Sequence, residues 1–221
     1  MQKSKEQENL TMHNFDKEQF DQAIKLWLEW NEKINVISRK DTENVFEHHI
    51  LHSLAIAEYV DRKYGGFGAG STILDLGTGG GFPGIPLAMV YPDVRFTLCD
   101  SIGKKVKVAQ AVADGLGLKN VTCVNARAES LSETFDWVVS RAVTSLDNFY
   151  PWVRGKYRNG ILYLKGGDVN QEISDLLRRF RLKPSSIGTW PIHEWLDDEY
   201  FAEKFVIEIG KDYLCPPNSN N

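Results

Sequence analysis

The stretch that decides the fold is ILDLGTGGGFPGIPLA, residues 73–88. An apolar run ends at Leu76, glycines follow at once, and two prolines stand where a helix would begin. Glycine permits positive φ and lets the backbone approach a ligand without a Cβ in the way. The free N–H groups at a helix start can face that ligand. In an open α/β sheet, ligands bind beyond the carboxyl ends of the strands, so the stretch predicts a strand, a ligand-binding turn and a helix.

The glycine pattern excludes two common nucleotide-binding loops. The dinucleotide fingerprint GxGxxG fails because Phe82 occupies its last position, and no GxxxxGK[ST] phosphate loop is present. Asp100 ends the next apolar run and is placed to accept hydrogen bonds from a ribose diol. The pattern that does match is DxGxGxG, which comprises Asp75, Gly77, Gly79 and Gly81.

From residue 71 onwards, short apolar runs alternate with helical stretches, an order typical of an α/β fold with a parallel sheet covered on both faces. The last two runs are joined by only 191–203, which is too short for a crossover helix, so this pair is expected to be antiparallel. We therefore predict a seven-stranded, mostly parallel sheet. The expected strands are Thr72–Leu76, 95–99, Val121–Asn125, 137–140, 161–165, 185–190 and 204–209, and the expected helices are 84–91, 103–117, 146–157 and 169–181.

The chain before the sheet has a helical pattern. Apolar residues recur at helical spacing over 16–37, and a second stripe over 46–60 follows Asp41, a candidate N-cap. The segment 64–70, YGGFGAG, is the strongest break in the sequence. We therefore divide the chain into an N-terminal helical appendage (1–64), a ligand-binding domain (65–214) and a tail (215–221).

Composition bounds the class of protein. With 221 residues, 42% hydrophobic and 25% charged, the chain fits one large globular domain or a domain with a short appendage. Its three cysteines lie far apart and form no CxxC pair, which fits a reducing compartment. Neither a signal-peptide core nor an apolar run of membrane-spanning length is visible. We expect a cytoplasmic protein without a membrane partner.

The net charge of −4 argues at first against nucleic acid as a partner. Its distribution is uneven, however, because 101–183 carries a local +6 and the remainder carries −10. Such asymmetry can mark one face that meets a polyanion, and solvated helix faces would produce it equally well.

Several motifs together point to a family. The DxGxGxG pattern, the ribose-binding acid and the antiparallel last pair resemble the Rossmann-like class I S-adenosylmethionine-dependent methyltransferases. More specifically, the chain resembles the ribosomal RNA small subunit methyltransferase G family, also called glucose-inhibited division protein B. The stretches that carry this resemblance occur in order within 27–167, and they are WNEKINVISRKD, HHILHSL, ILDLGTGGGFPGIPLA, FTLCDSIGKKVK, NARAE, FDWVVSRAV and LYLKG.

The resemblance implies S-adenosyl-L-methionine as cofactor and methylation of guanine N7 in small-subunit (16S) ribosomal RNA, free or in the subunit. The family usually has R-H-I-x-D-S where this chain has HHILHS at 48–53, so His52 stands in place of an acid. Together with the glycine pattern, the resemblance assigns the cofactor to Asp75, Gly77, Gly79, Gly81, Phe82, Asp100, Ala128, Glu129 and Arg141. The candidate substrate residues are Asn35, Arg39, His49 and Lys165.

The expected chemistry needs no dedicated general base. Guanine N7 carries a lone pair, so the enzyme must align the nucleophile, the methyl carbon and the sulfur. Arg141 and Lys165 are candidate charge stabilisers that could bind phosphate or guanine O6. His48 and His52 share a helix face, but no third ligand stands at a readable spacing, so no metal is expected.

Two alternative functions stay open at the level of the sequence. A small-molecule methyltransferase would use the appendage as a lid over an apolar pocket. A non-catalytic nucleotide-binding module would keep the fold without the chemistry. The order DxGxGxG followed by Asp100 favours an enzyme over that second alternative.

Overall fold

A computed structural model of the protein describes residues 16–210, and it contains one seven-stranded sheet. The strand order is β3-β2-β1-β4-β5-β7-β6, and every pair is parallel except the two formed by β7. The predicted seven-stranded, mostly parallel fold with an antiparallel last pair is confirmed. The strands are β1 (Thr72–Leu76), β2 (Arg95–Asp100), β3 (Val121–Asn125), β4 (Phe135–Arg141), β5 (Tyr157–Gly166), β6 (Ile187–Pro191) and β7 (Lys204–Gly210).

Helices cover both faces of the sheet and bury a separate apolar layer on each. On one face lie α1 (Lys17–Asn31), α2 (His52–Tyr64), α3 (Gly84–Val90) and α4 (Gly103–Gly115). On the other face lie α5 (Leu146–Val153) and α6 (Val169–Phe180). A π-helical turn, Phe46–Leu51, leads directly into α2. Between residues 16 and 210, no helix combines the length and the apolar character needed to cross a membrane.

The N-terminal helix is packed into the core of the sheet domain. Trp27 is fully buried and stacks on Phe82, with ring centroids 4.3 Å apart. Its indole Nε1 donates a hydrogen bond to the Gly80 carbonyl at 2.7 Å. The segment 16–64 therefore helps to hold the glycine loop, although the boundary at residue 64 stays a prediction. Residues 1–15 and the predicted tail, 215–221, lie outside the described residues.

Two helix boundaries near the N-terminus differ from the expectation. α1 ends at Asn31, because the Asn31 amide oxygen accepts hydrogen bonds from the backbone N–H of Val36 and Ile37 at 2.8 and 2.9 Å. Asp41 does not cap the next helix, since its carboxylate binds Ser38 Oγ at 2.6 Å and His48 Nδ1 at 2.9 Å. Side-chain hydrogen bonding thus replaces helix between 32 and 45.

The predicted helix over 146–157 is too long at its carboxyl end. α5 ends at Val153, and β5 begins at Tyr157. Between them Gly155 adopts a φ of 83°, a left-handed conformation that a helix cannot continue through. The apolar Tyr157 therefore belongs to the strand and pairs with Phe135.

Candidate functional site

A cavity of about 390 Å³ opens at the carboxyl ends of β1, β2 and β4, and this volume lies within the usual range of ligand pockets. β1 lies between β2 and β4, at the point where the strand order reverses, and open α/β sheets bind ligands there. Gly77, Asp100, Glu129 and Arg141 belong to its lining, as does Lys105 near the start of α4. With Ala128, which also lines it, the cavity brings together five of the predicted site residues.

Two glycines of the loop are required by geometry. Gly77 has a φ of 76°, and a Cβ there would lie 2.4 Å from Val143 Cγ2. Gly81 has a φ of 108°, and a Cβ there would lie 2.4 Å from Ile85 Cδ1. At Gly79 a Cβ would meet nothing within 4 Å, but φ is again positive, at 57°. The loop is therefore a compact backbone cradle, as the DxGxGxG pattern predicts.

Asp75 is fully buried beneath the loop and stays outside the cavity lining. Its Oδ2 accepts hydrogen bonds from Thr78 Oγ1 at 2.6 Å and from the Gly84 N–H at 2.8 Å. Burial raises the pKa of this carboxyl to about 7, against the lowering effect of those two donors. Its Oδ1 has no hydrogen-bond partner within 16–210. Asp75 thus ties the loop to the start of α3, and a direct contact with a cofactor stays a prediction.

Asp100 is only 8% exposed, yet it lines the cavity. Its Oδ1 accepts from the Ile102 N–H at 2.8 Å, and its Oδ2 accepts from the Gly79 N–H at 3.0 Å. Each carboxylate oxygen keeps a second acceptor position. Ala128 and Glu129, at the start of a short 3-10 turn after β3, line the same cavity. This geometry is compatible with a ribose diol at Asp100.

Arg141, the last residue of β4, is held from the side of the π-helical turn. Its Nη1 donates to the His48 carbonyl at 3.3 Å, and its Nη2 lies 2.8 Å from His49 Nδ1. The guanidinium carbon lies 4.9 Å from the centre of the Phe82 ring. Phe82 is only 3% exposed and does not line the cavity, so its ring contacts Arg141 from the protein core. Burial lowers the pKa of Arg141 to about 10, which leaves it charged at neutral pH.

His49 is a neutral imidazole in this site. Burial, helped by the charge of Arg141, lowers its pKa to about 3. Because Nδ1 accepts from Arg141, the proton belongs on Nε2, which is buried and has no hydrogen-bond partner in the described part of the chain. His49 therefore presents one N–H donor next to a fixed guanidinium.

The departure from the family pattern at residues 48 and 52 has a structural counterpart. His48 pairs with the Asp41 carboxylate at 2.9 Å. His52 is buried, and its ring lies edge-on to Tyr200 and Phe201 with centroids 6.1 and 6.0 Å away. Burial keeps the pKa of His52 well below its usual value. A neutral ring among aromatics thus occupies the place of the family acid, and the His48 ring has the Asp41 carboxylate as its partner.

The other predicted substrate residues lie outside the cavity lining. Lys165 Nζ donates to the Thr144 carbonyl at 2.9 Å and pairs with Glu172 at 3.0 Å, so it supports the loop between β4 and α5. Asn35 and Arg39 are exposed on the segment between α1 and α2. Their contacts with a substrate stay predictions.

Sequence reasoning missed Tyr200 and the role of Trp27. Tyr200 lies in the connection between β6 and β7, where no motif marks it, and it stacks on His48. Trp27 is one of the apolar residues at helical spacing in 16–37, and nothing in that spacing signals that its indole also donates to the Gly80 carbonyl. Within the described ranges, no cluster of three or more His, Cys, Asp or Glu residues could hold a metal ion.

Solved structures share this fold. Magnesium protoporphyrin IX methyltransferase from Synechocystis PCC 6803, crystallised with bound SAM, matches with a TM-score of 0.61 at 14% identity, covering 85% of this chain and 90% of that one. A ribosomal protein L11 methylase from Lactobacillus delbrueckii subsp. bulgaricus matches with a TM-score of 0.54 at 14% identity, covering 72% of this chain and 77% of that one. At these identities the likeness establishes the fold alone.

Sequence relatives are much more similar. The family model described as rRNA small subunit methyltransferase G matches residues 16–187. The protein of that name from Bacteroides fragilis is 48% identical over 201 residues, which cover 87% of this chain and 92% of that protein. The one from Flavobacterium johnsoniae is 46% identical, covering 87% of this chain and 90% of its own length. The chain therefore belongs to the rRNA small subunit methyltransferase G family.

Proposed function

We propose that the protein methylates guanine N7 in small-subunit (16S) ribosomal RNA, as a free strand or within the subunit, using S-adenosylmethionine. Membership of the family makes it an S-adenosylmethionine-dependent methyltransferase of small-subunit ribosomal RNA. The observation that carries the finer proposal is that Gly77 of the glycine loop, Asp100 and Arg141 all line one cavity. S-adenosylmethionine, when bound, supplies the methyl group.

The residues of the cavity fit this cofactor. Asp100 has acceptor positions for two ribose hydroxyls, and both of its oxygens are already fixed by backbone N–H groups. Gly77 leaves backbone exposed where any side chain would collide with Val143. Ala128 and Glu129 border the space beyond β3. We assign the ribose to Asp100 and the adenine to the segment at 126–129.

Arg141 is the group that suits a guanine acceptor. It is a charged donor at the cavity edge, and arginine donors match the O6 acceptor of guanine or an adjacent phosphate. Neutral His49 beside it adds no second cation, which would oppose the positive charge that develops on the purine. The lone pair of N7 needs no base, so the task of this side of the cavity is orientation.

Lysines on α4 and after α1, one of which lines the cavity, favour RNA as the acceptor. Lys33 of the segment after α1 and Lys107 of α4 both lie over the ring of half-buried Trp30, at 5.2 and 5.8 Å from its centre. Lys104 is exposed at the start of α4, and Lys105 reaches the cavity lining. Lysines around an aromatic ring suit a nucleic-acid strand, which offers phosphates and stacking bases. Of these lysines, Lys105 brings a positive charge to the cavity itself.

The test is mass spectrometry of nucleosides from 16S ribosomal RNA of a strain that lacks the gene. We expect one 7-methylguanosine to disappear and to return when the gene is restored. Restoration with an Asp100→Ala variant should leave the nucleoside missing. An unchanged 7-methylguanosine content in the deletion strain would overturn the N7 proposal.

Purified protein separates RNA from a small-molecule acceptor. Binding to a 16S fragment or to the small subunit should weaken steeply as salt rises, because phosphate contacts release counterions. Methyl transfer in both preparations identifies which form is the substrate. Transfer to neither, with intact S-adenosylmethionine binding by calorimetry, would favour the non-catalytic alternative.

A further inference from the structure

The connection between β6 and β7 touches the π-helical turn through Tyr200. The Tyr200 and His48 rings are stacked face to face, with centroids 3.6 Å apart and planes at 7°. Tyr200 Oη also donates to the His48 carbonyl at 3.3 Å. Lys204 Nζ lies 3.4 Å from the centre of the same tyrosine ring. At such short distances the imidazole and the ammonium must occupy opposite faces, so the tyrosine ring is fixed on both sides.

The turn that Tyr200 contacts is the one that holds Arg141. The His48 carbonyl accepts from Arg141 Nη1, and the adjacent His49 ring accepts from Nη2. Within 16–210 no carboxylate forms an ion pair with Arg141. Its hydrogen bonds therefore go to two neutral acceptors, both carried by the turn, and the Phe82 ring adds one contact from another segment.

An arginine side chain has several rotatable bonds, and fixing it costs conformational entropy. Two neutral acceptors compensate less than a bidentate carboxylate would, since charge-assisted pairs on both sides are the stronger ones. The position of the turn therefore determines where the guanidinium lies. π-helical turns also recur at functional sites.

We propose that Tyr200 is a positioning residue for methyl transfer: by clamping His48, it fixes the turn 46–51 and so holds the Arg141 guanidinium at the cavity edge. This inference rests on the proposed function, in which Arg141 orients the acceptor. Tyr200 does not line the cavity, and the role that we assign to it runs through the turn to Arg141.

The test compares two substitutions at residue 200. Tyr200→Leu removes the ring and should lower kcat for 16S ribosomal RNA about tenfold or more, because misplacing an orienting group is costly to the rate. The Kd for S-adenosylmethionine by calorimetry should stay within about twofold, since the proposed function gives Arg141 to the acceptor and the Asp100 side is untouched. Tyr200→Phe keeps the stacked ring and should retain most of the wild-type kcat.

A matched control exists at Tyr59, on the helix α2 that follows the turn 46–51. Tyr59 on α2 donates to Glu208 on β7 at 2.6 Å and packs on Trp190, about two helical turns beyond the π-helical turn. Tyr59→Leu removes an equally large ring from a helix–sheet contact but leaves His48 and Arg141 in place. It should lower stability while leaving kcat unchanged. An equal loss of kcat in Tyr59→Leu would reduce Tyr200 to a general packing residue.

The route through Arg141 is tested by combining substitutions. In an Arg141→Lys background, Tyr200→Leu should have little additional effect on kcat, because coupled residues are not additive. Fully additive effects would overturn the inference.

A second measurement does not depend on activity. The ¹⁵N chemical shifts of the His49 ring report the contact of Nδ1 with Arg141. They should change in Tyr200→Leu and stay unchanged in Tyr59→Leu; unchanged shifts in both variants would overturn the inference. Failure of the wild-type protein to methylate 16S ribosomal RNA, with the shifts changing as expected, would overturn the proposed function alone.

Discussion

The two sides of the cavity are built in different ways. On the loop side, Asp75 and Asp100 accept hydrogen bonds from backbone N–H groups of the glycine loop, the start of α3 and the segment after β2, and no bonded pair is more than 21 positions apart along the chain. On the turn side, Phe82, Arg141 and Tyr200 come from three separate segments, and each contacts a histidine side chain of the turn 46–51. The proposed cofactor side is therefore fixed by backbone hydrogen bonds, whereas the proposed acceptor side depends on side-chain contacts that single substitutions can loosen.

The sharpest test of the loop side is Asp100→Ala. This change removes the acceptor for a ribose diol and leaves the Gly79 and Ile102 N–H groups without their partner. Hydrogen bonds to a charged group contribute about 1.5–3 kcal/mol, so we expect S-adenosylmethionine affinity to fall by about 10- to 100-fold in calorimetry. Asp100→Asn keeps one acceptor oxygen and should lose less. Unchanged affinity in Asp100→Ala would remove Asp100 from the cofactor site.

The backbone character of the loop is tested by two alanines. Both Gly77 and Gly79 have positive φ, but only at Gly77 would a Cβ collide, 2.4 Å from Val143 Cγ2. We expect Gly77→Ala to lower the free energy of unfolding by about 1–3 kcal/mol more than Gly79→Ala, the usual cost of overpacking. Denaturant unfolding measures both. Equal losses would show that the Val143 contact is unimportant and that strain alone decides.

The acceptor side should be sensitive to acid. The pKa of His49 is about 3 in the folded protein against an ordinary 6.5, so between these values the unfolded chain binds a proton that the folded chain does not. Stability from this group is complete above pH 6.5 and is lost as pH falls towards 3, by at most about 1.4 kcal/mol per pH unit. His49→Asn keeps an acceptor for Arg141 and does not titrate. Its stability deficit relative to wild type should shrink between pH 7.5 and pH 5.

The comparison of wild type with His49→Asn separates the titration of His49 from the titration of two other buried groups. His52 has the same sign, because burial also holds its pKa down. Asp75 has the opposite sign, since its raised pKa of about 7 removes stability as pH rises from about 4 to 7. Both contribute to wild type and variant alike, so they cancel in the difference. A deficit that stays constant with pH would show that the pKa of His49 is the same in the folded and the unfolded protein.

The contrast between local backbone contacts and contacts of distant side chains also explains which features the sequence could predict. The strand, loop and helix at 73–88 and the acid at the end of β2 follow from local patterns, and the structure has them there. The seven strands follow from apolar runs, and the antiparallel last pair follows from a short connection. Arg141 also lines the cavity, as the family motif implies.

The remainder depends on contacts between distant segments. Nothing in the sequence around Tyr200 signals that its ring stacks on a histidine 152 positions earlier. The end of α1 at Asn31 depends on a side-chain amide that competes with the helix, against an apolar spacing that continues to residue 37. The placement of Lys165 against Glu172 follows from the packing of α6, which a motif at the end of β5 does not encode.

The hydrogen bond from the Trp27 indole to the Gly80 carbonyl has a thermodynamic consequence. It joins a helix at 17–31 to a loop that lies about fifty positions later, and Val36 covers the same glycine closely enough that a Cβ there would lie 2.8 Å from its Cγ2. A ligand that binds the loop only while Trp27 and Val36 contact it must therefore stabilise those two contacts by the same free energy. Occupancy of the cavity and order at the N-terminal end of the described chain are thus one linked equilibrium.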